Sequence, residues 1–242
     1  GIVMNDNTIT RSHGSTIRYI ADNEADVILG FLDTVDADFS AGAVSIIAER
    51  SILDGLGDLT DLNIQTGTAR LWADALVEVD ADLHFTQDVN APTHLGSQTG
   101  SVGTADTAHT PVSENRHALN IQVQTLAAQA ADGIYLEETD DVTVQQTGDL
   151  SIQHVNFNST RTLQTDASLA DLVTTNNGPI KLIAGGFITV EDGDAAAIHG
   201  NDGIGVRADS TADPNGASTP GSILLSAGTD VTLNADVMTW DG

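Results

Sequence analysis

Three segments share one register of apolar residues, and that register limits the fold more tightly than any other feature of the chain. In DGIYLEETDDVTV from Asp132, GPIKLIAGGFITV from Gly178 and GSILLSAGTDVTL from Gly221, an apolar pair spaced by two is followed eight residues later by another. The pairs are Ile134/Leu136 with Val142/Val144, Ile180/Leu182 with Ile188/Val190, and Ile223/Leu225 with Val231/Leu233. Spacing of two puts both side chains of a pair on one face of an extended strand. The small or polar residues between pairs (EETD, AGG, AGT) let the chain change direction. Each segment therefore predicts strand, turn and strand, and the paired residues predict a core ladder.

Looser versions occur in STIRYIADNEADVILGFLD, in AVSIIAERSIL from Ala43 and in ARLWADALVEV from Ala69. ALNIQVQTL alternates at Leu119, Ile121 and Val123, although Leu119, Val123 and Leu126 also fit helical spacing. Hairpins in a sandwich or barrel would account for such strands, but three features favour a parallel β-helix. Asn-Gly and Asp-Gly turns fall between repeats or in loops rather than between alternating runs. Near-identical I-x-L pairs recur as if each lies on the one before. Aromatic residues make up only 4%, as suits an interior of aliphatic ladders. The expected fold is an all-β, right-handed parallel β-helix (β-solenoid) over residues 1–242, with two longer side loops at about 90–115 and 194–220. Coils of about 20 to 25 residues would give roughly ten of them and a rod near ~50 Å.

The 28 Asp outnumber the 7 Glu, and the bases are seven Arg and one Lys, for a net charge of −27. Asp prefers turns and caps to helix interiors, which agrees with an all-β chain. Such an acidic molecule is not expected to bind nucleic acid. No run approaches the ~20 apolar residues of a membrane-spanning helix, so membrane insertion is not expected. The absence of cysteine excludes a disulfide framework.

The phrase Arg50-Ser51-Ile52-Leu53-Asp54-Gly55, the stretch LAAQAADGIYLEETDDVTV from Leu126 and the ending GSILLSAGTDVTLNADV resemble the tandem repeats of giant bacterial surface proteins. The style is that of filamentous-haemagglutinin-type adhesins, and the resemblance runs from about Ser15 to Asp236. It implies an extracellular or cell-surface β-helix serving as a stalk, adhesin shaft or matrix fibre, and it carries over no catalytic residue. Neither end of the sequence shows a polar cap. The chain is therefore expected to be one period of a longer array, with Ile2, Val3 and Met4 meeting Val237, Met238 and Trp240 of the next unit. Head-to-tail contact of this kind does not close and yields a fibre. The expected partners are copies of the chain itself, and surface glycans or other cells.

Parallel β-helices also include carbohydrate-active proteins, which makes a carbohydrate-binding or carbohydrate-cleaving module the alternative. That alternative calls for a cleft with Arg beside Asp and a stacking aromatic. Asp140 and Asp141 are adjacent, so on a strand they point apart and do not form the facing carboxylate pair of a glycosidase; no enzyme is expected. Calcium is the better ligand class, because carboxylates in turns suit it, with Asp192, Asp194, Asp202 and Asp209 as candidate ligands. The histidines show no short-spaced zinc pair, and His154 is expected to face inward beside Ile152. Asn158-Ser159-Thr160 matches a glycosylation acceptor.

Overall fold

A computed structural model describes residues 1–36, 41–58, 61–75, 77–79, 85–87, 99–105, 117–155, 158–193, 203–209 and 221–240. The described residues are all-β, without a helix, and 19 of the strands join one large sheet. Every pairing inside that sheet is parallel.

The 19 strands of this sheet fall into seven successive tiers. The first is Ile2–Val3, Ile9–Arg11 and Thr16–Ala21; the second is Val27–Leu29, Phe31–Asp33 and Ala43–Ala48. In the third, Ile52–Asp54 is followed by one long strand, Ile64–Trp72, and in the fourth Ser101–Val102 is followed by Leu119–Ala130. The fifth is Gly133–Glu138, Val142–Val144 and Leu172–Thr174. The sixth is Ile180–Ala184, Ile188–Val190 and Ile204–Asp209, and the seventh Ile223–Ala227, Val231–Leu233 and Asp236–Trp240. Leu119–Ala130 is a strand, not a helix, and it pairs with all three strands of the next tier. Leu119 pairs with Leu136, Leu126 with Val144, and Ala128 with Leu172.

The three closely similar segments lie directly on one another. Ile134 pairs with Ile180 and Ile180 with Ile223; Val142 pairs with Ile188 and Ile188 with Val231. Leu136, Leu182 and Leu225 stack in the same way, as do Val144, Val190 and Leu233. In tiers five and six these residues are 0–2% exposed, whereas Val231 and Leu233 in tier seven are 41% and 53% exposed. The looser segments extend one of these ladders. Thr16–Ala21, Ala43–Ala48 and the end of Ile64–Trp72 stack with Ile17 on Val44 and Val44 on Ala69, and the column runs on from Ala69 through Leu126 to Val144.

The corners explain the AGG and AGT turns. A Cβ at Gly185 would collide with the Thr139 carbonyl oxygen, and one at Gly228 with that of Gly185. Backbone stacks on backbone there, and only glycine leaves room.

Roughly ten coils were expected; among the described residues seven tiers are found, occupying ~34 Å at the spacing of paired strands. The step from Ile2 to Val27 is 25 residues, but Val102 follows Ile52 by 50 and Ile180 follows Ile134 by 46. The excess forms excursions. One is an antiparallel hairpin, Leu150–Val155 with Arg161–Asp166, inserted between Val142–Val144 and Leu172–Thr174. Most of the segments 90–115 and 194–220 lies outside the described residues.

Candidate functional site

Where Ile9–Arg11, Phe31–Asp33 and the start of Ile64–Trp72 stack, alternation decides what the sheet shows to the outside. In Phe31–Asp33, Leu32 is fully buried, so Phe31 and Asp33 point the other way. Ile9 and Arg11 occupy the paired positions on the neighbouring strand. The upper part of this face is a polar ladder: Arg11 Nε donates to Asp33 Oδ2 at 2.7 Å, Asp33 is in register with Gln65, and Gln65 Nε2 donates to Gln122 Oε1 at 2.8 Å. Gln122 Nε2 in turn donates to Asp140 Oδ2 at 3.0 Å. The lower part is apolar. Phe31 and Ile9, together with Leu56 and Leu62, line a cavity of about 440 Å³. Asp6, Asn7, Thr8 and Asp61 complete its lining.

A second constellation lies on the outward face of the Thr16–Ala21 column, where the hairpin folds back. Arg18 Nε donates to both oxygens of Asp166 at 2.9 Å, its NH2 group reaches Asp166 Oδ1 at 2.7 Å, and its NH1 group reaches Gln164 Oε1 at 2.8 Å. Ser45 Oγ donates to Asp166 Oδ2 at 2.7 Å. Arg70, fully buried, donates from Nε to the Ala167 carbonyl at 2.9 Å and lies 5.4 Å from the Trp72 ring centre. Burial lowers the Arg70 pKa to about 10, against the pull of Asp166 upward, while Arg18 adds to the lowering. Arg70 thus stays charged at neutral pH. Leu169 packs with Ile47, Trp72, Ala75 and Ala127 in an apolar cluster separate from the main core. This arrangement is a clamp that fixes the base of the hairpin.

Glu138 is the third unusual group. It follows Leu136 by two, so it points inward with the ladder and is 2% exposed, where the stacked positions above hold Ala184 and Ala227. Burial raises its pKa to about 9; the N–H groups of Asp140 and Val123 oppose the rise, and the charge and side chain of Asp140 add to it. Its carboxyl is therefore protonated at neutral pH. The backbone N–H of Val123 donates to it at 3.0 Å.

The residues singled out from sequence are placed as follows. Asp140 accepts from Gln122 and from its neighbour's N–H, while Asp141 accepts the Phe187 N–H at 2.8 Å, so both serve the corner between tiers. Asp192 is partly buried; Asp194 and Asp202 lie outside the described residues, as does the side chain of Asp209. Among the described residues no group of three His, Asp or Glu is placed to hold a metal ion. Val3 is 68% exposed, Ile2, Val237 and Met238 are half-buried, and the Trp240 side chain is outside the described residues. Met4 differs from expectation. At 7% exposure it belongs to the main core and offers little surface to a neighbouring unit. His154 differs too, being exposed on the hairpin rather than turned inward, because Leu150–Val155 leaves the stack. Asn158 sits at the hairpin turn, where its Oδ1 accepts from the Thr160 N–H at 3.0 Å.

The alternating LSIQHV looks the same in sequence whether it stacks or projects, and nothing in it names Arg18 as the partner of Asp166. Glu138 carried a visible signal, because the same repeat position is Ala in the sibling segments.

The class these features define is an all-β protein built on one large parallel sheet with a clamped hairpin. No protein-family model, no curated protein and no solved structure matches the chain. Among the described residues no helix is long and apolar enough to cross a membrane.

Proposed function

We propose that the tiers close into a right-handed parallel β-helix and that the chain is a structural, adhesive module of a bacterial surface or extracellular fibre, extended by end-to-end stacking. The observation that carries this reading is the ladder Ile134–Ile180–Ile223 with Val142–Ile188–Val231, in which like residues lie on like in one register. Parallel strands joined by crossovers are right-handed in nearly all known cases, which supports the hand. The half-exposed Val231 and Leu233 at one end of the ladder, and Ile2, partly buried against the core at the other, match what a further tier would cover. A net charge of −27 on the sides opposes lateral clumping.

The carbohydrate-binding alternative has one observation in its favour: Phe31 lines a cavity while its strand neighbour Asp33 is paired with Arg11. Arg11 is engaged by Asp33 and does not line that cavity.

Negative-stain electron microscopy and sedimentation velocity over a concentration series test the stacking. Linear particles with an axial repeat of roughly ~34 Å, abolished by Val231→Asp with Leu233→Asp, are expected. Monomers at every concentration would overturn the reading. A chelator arm in the same series tests calcium, which is involved only if chelation dissolves the particles.

A further inference from the structure

We propose that the cavity beside Phe31 receives a basic side chain, arginine or lysine, of a partner polypeptide. Its volume of about 440 Å³ falls within the range of ligand pockets. Its lining is divided. Phe31, Ile9, Leu56 and Leu62 supply an apolar surface, and Ile9 is 55% exposed although it lies on a strand. Asp6 and Asp61 add two carboxylates, both on exposed residues. Among the described residues the only hydrogen bond to the Asp6 carboxylate is a long one, 3.4 Å from the Gly57 N–H. No described Arg, Lys or His pairs with either acid.

An arginine or lysine has the matching division: an aliphatic stem that covers apolar surface and a charged head. The head would make charge-assisted hydrogen bonds to the carboxylates and would be attracted to the face of Phe31. The fold already uses this chemistry twice. On the same two strands Arg11 meets Asp33 at 2.7 Å, and elsewhere Arg70 lies over Trp72. In the cavity the apolar surface and the acids are present and the cation is not supplied by the described residues. A chain with 35 acidic and 8 basic residues draws cationic partners toward it and repels anionic ones. An acidic peptide or a sulfated glycan would find no countercharge in the lining.

The test is an NMR titration of the ¹⁵N-labelled chain with the capped peptide Ac-Gly-Arg-Gly-Arg-Gly-NH2. A peptide with citrulline in place of each arginine serves as the control, since it keeps the shape and loses the charge. Saturable shifts of the Asn7, Thr8, Phe31, Gly57 and Leu62 amides are expected with arginine and not with citrulline. Asp6→Asn with Asp61→Asn should weaken binding about tenfold or more, the equivalent of ~1.4 kcal/mol. Because a strongly acidic chain attracts cations everywhere, Asp230→Asn with Asp236→Asn, exposed on the last tier, is the matched control and should bind as the wild type does. Equal weakening in both double variants would reduce the effect to bulk charge and overturn the proposal. Equal binding of the citrulline peptide would also overturn it. So would a neutral cello-oligosaccharide that shifts the same amides while the arginine peptide does not, which would make the cavity a sugar site.

Discussion

Removing the Asp166 carboxylate should destabilise the protein more than any other single change to a polar side chain. Asp166 is 2% exposed, and its side chain accepts three hydrogen bonds from Arg18 and one from Ser45. The Arg18 side chain is itself only 7% exposed, and fully buried Arg70 lies within the field of the same carboxylate. Asp166→Ala leaves two buried guanidinium groups without their shared counter-charge. Breaking a buried pair in this way costs about 3–5 kcal/mol, a large share of the ~5–15 kcal/mol by which domains are stable. At about 2–4 °C per kcal/mol for a chain of this size, Tm should fall by roughly 6–20 °C. Arg18→Leu with Asp166→Leu should recover most of that loss, because replacing both partners by apolar groups is far cheaper than orphaning one. Recovery should be incomplete while Arg70 keeps its charge, and adding Arg70→Met should bring it closer to wild type. Urea denaturation gives the stabilities, and limited proteolysis reports the hairpin, which should become cleavable between 150 and 166 in the single variant. A loss below ~1 kcal/mol for Asp166→Ala, with an intact hairpin, would refute the reasoning.

Three further outcomes follow from the packing and the protonation of the core. The folded state holds the Glu138 proton up to about 9 whereas the unfolded chain releases it near the ordinary value of 4.5, so stability from this group is full below pH ~4.5 and declines as pH rises toward 9. Glu138→Gln should flatten that decline in urea melts collected across the pH range, and an unchanged slope would contradict a protonated Glu138. Ile180→Ala, at a position 1% exposed between two other isoleucines, should cost about 2–5 kcal/mol, while Val231→Ala, 41% exposed, should cost under about 1 kcal/mol in the monomer; equal losses would contradict the tier assignment. Gly228→Ala should destabilise through collision with the Gly185 carbonyl, visible as a lowered Tm, whereas Gly148→Ala meets no atom within 4 Å and serves as the comparison, its φ of 69° leaving only local strain.

The ladders were legible because period-two alternation and a fixed offset leave a mark on the sequence itself. Ile134, Ile180 and Ile223 share a phrase, and the phrase fixes which residues lie over which. The looser segments were legible as strands, but the side of the tier on which they stack was not, since a strand–turn–strand phrase does not say which two sides of a tier it joins. STIRYIADN leads from the Thr16–Ala21 strand to Val27–Leu29, whereas the tight repeats join Ile180–Ala184 to Ile188–Val190. The number of tiers was overestimated because dividing the chain into coils of about 20 to 25 residues makes no allowance for excursions such as the hairpin. The clamp was hidden for a physical reason: Arg18 and Asp166 are 148 residues apart, and an outward-facing arginine on a strand reads as a solvated one. The cavity was equally hidden, being assembled from residues 6–8, from Ile9 and Phe31 on two strands, and from Leu56, Asp61 and Leu62, which only stacking brings together.

Register between tiers is the central claim, and a chain without cysteine allows it to be tested cleanly. Thr143, Thr189 and Thr232 lie in one outward ladder, Thr143 paired with Thr189 and Thr189 with Thr232. Neighbouring tiers put the Cα atoms about 4.8 Å apart, inside the ~4.4–6.8 Å window of a disulfide, and two tiers put them at roughly twice that distance, outside it. Cysteine pairs at 143/189 and at 189/232 should therefore oxidise to intramolecular disulfides, and the pair at 143/232 should not. Failure of both neighbouring pairs, or equally ready closure of 143/232, would contradict the stacked ladder.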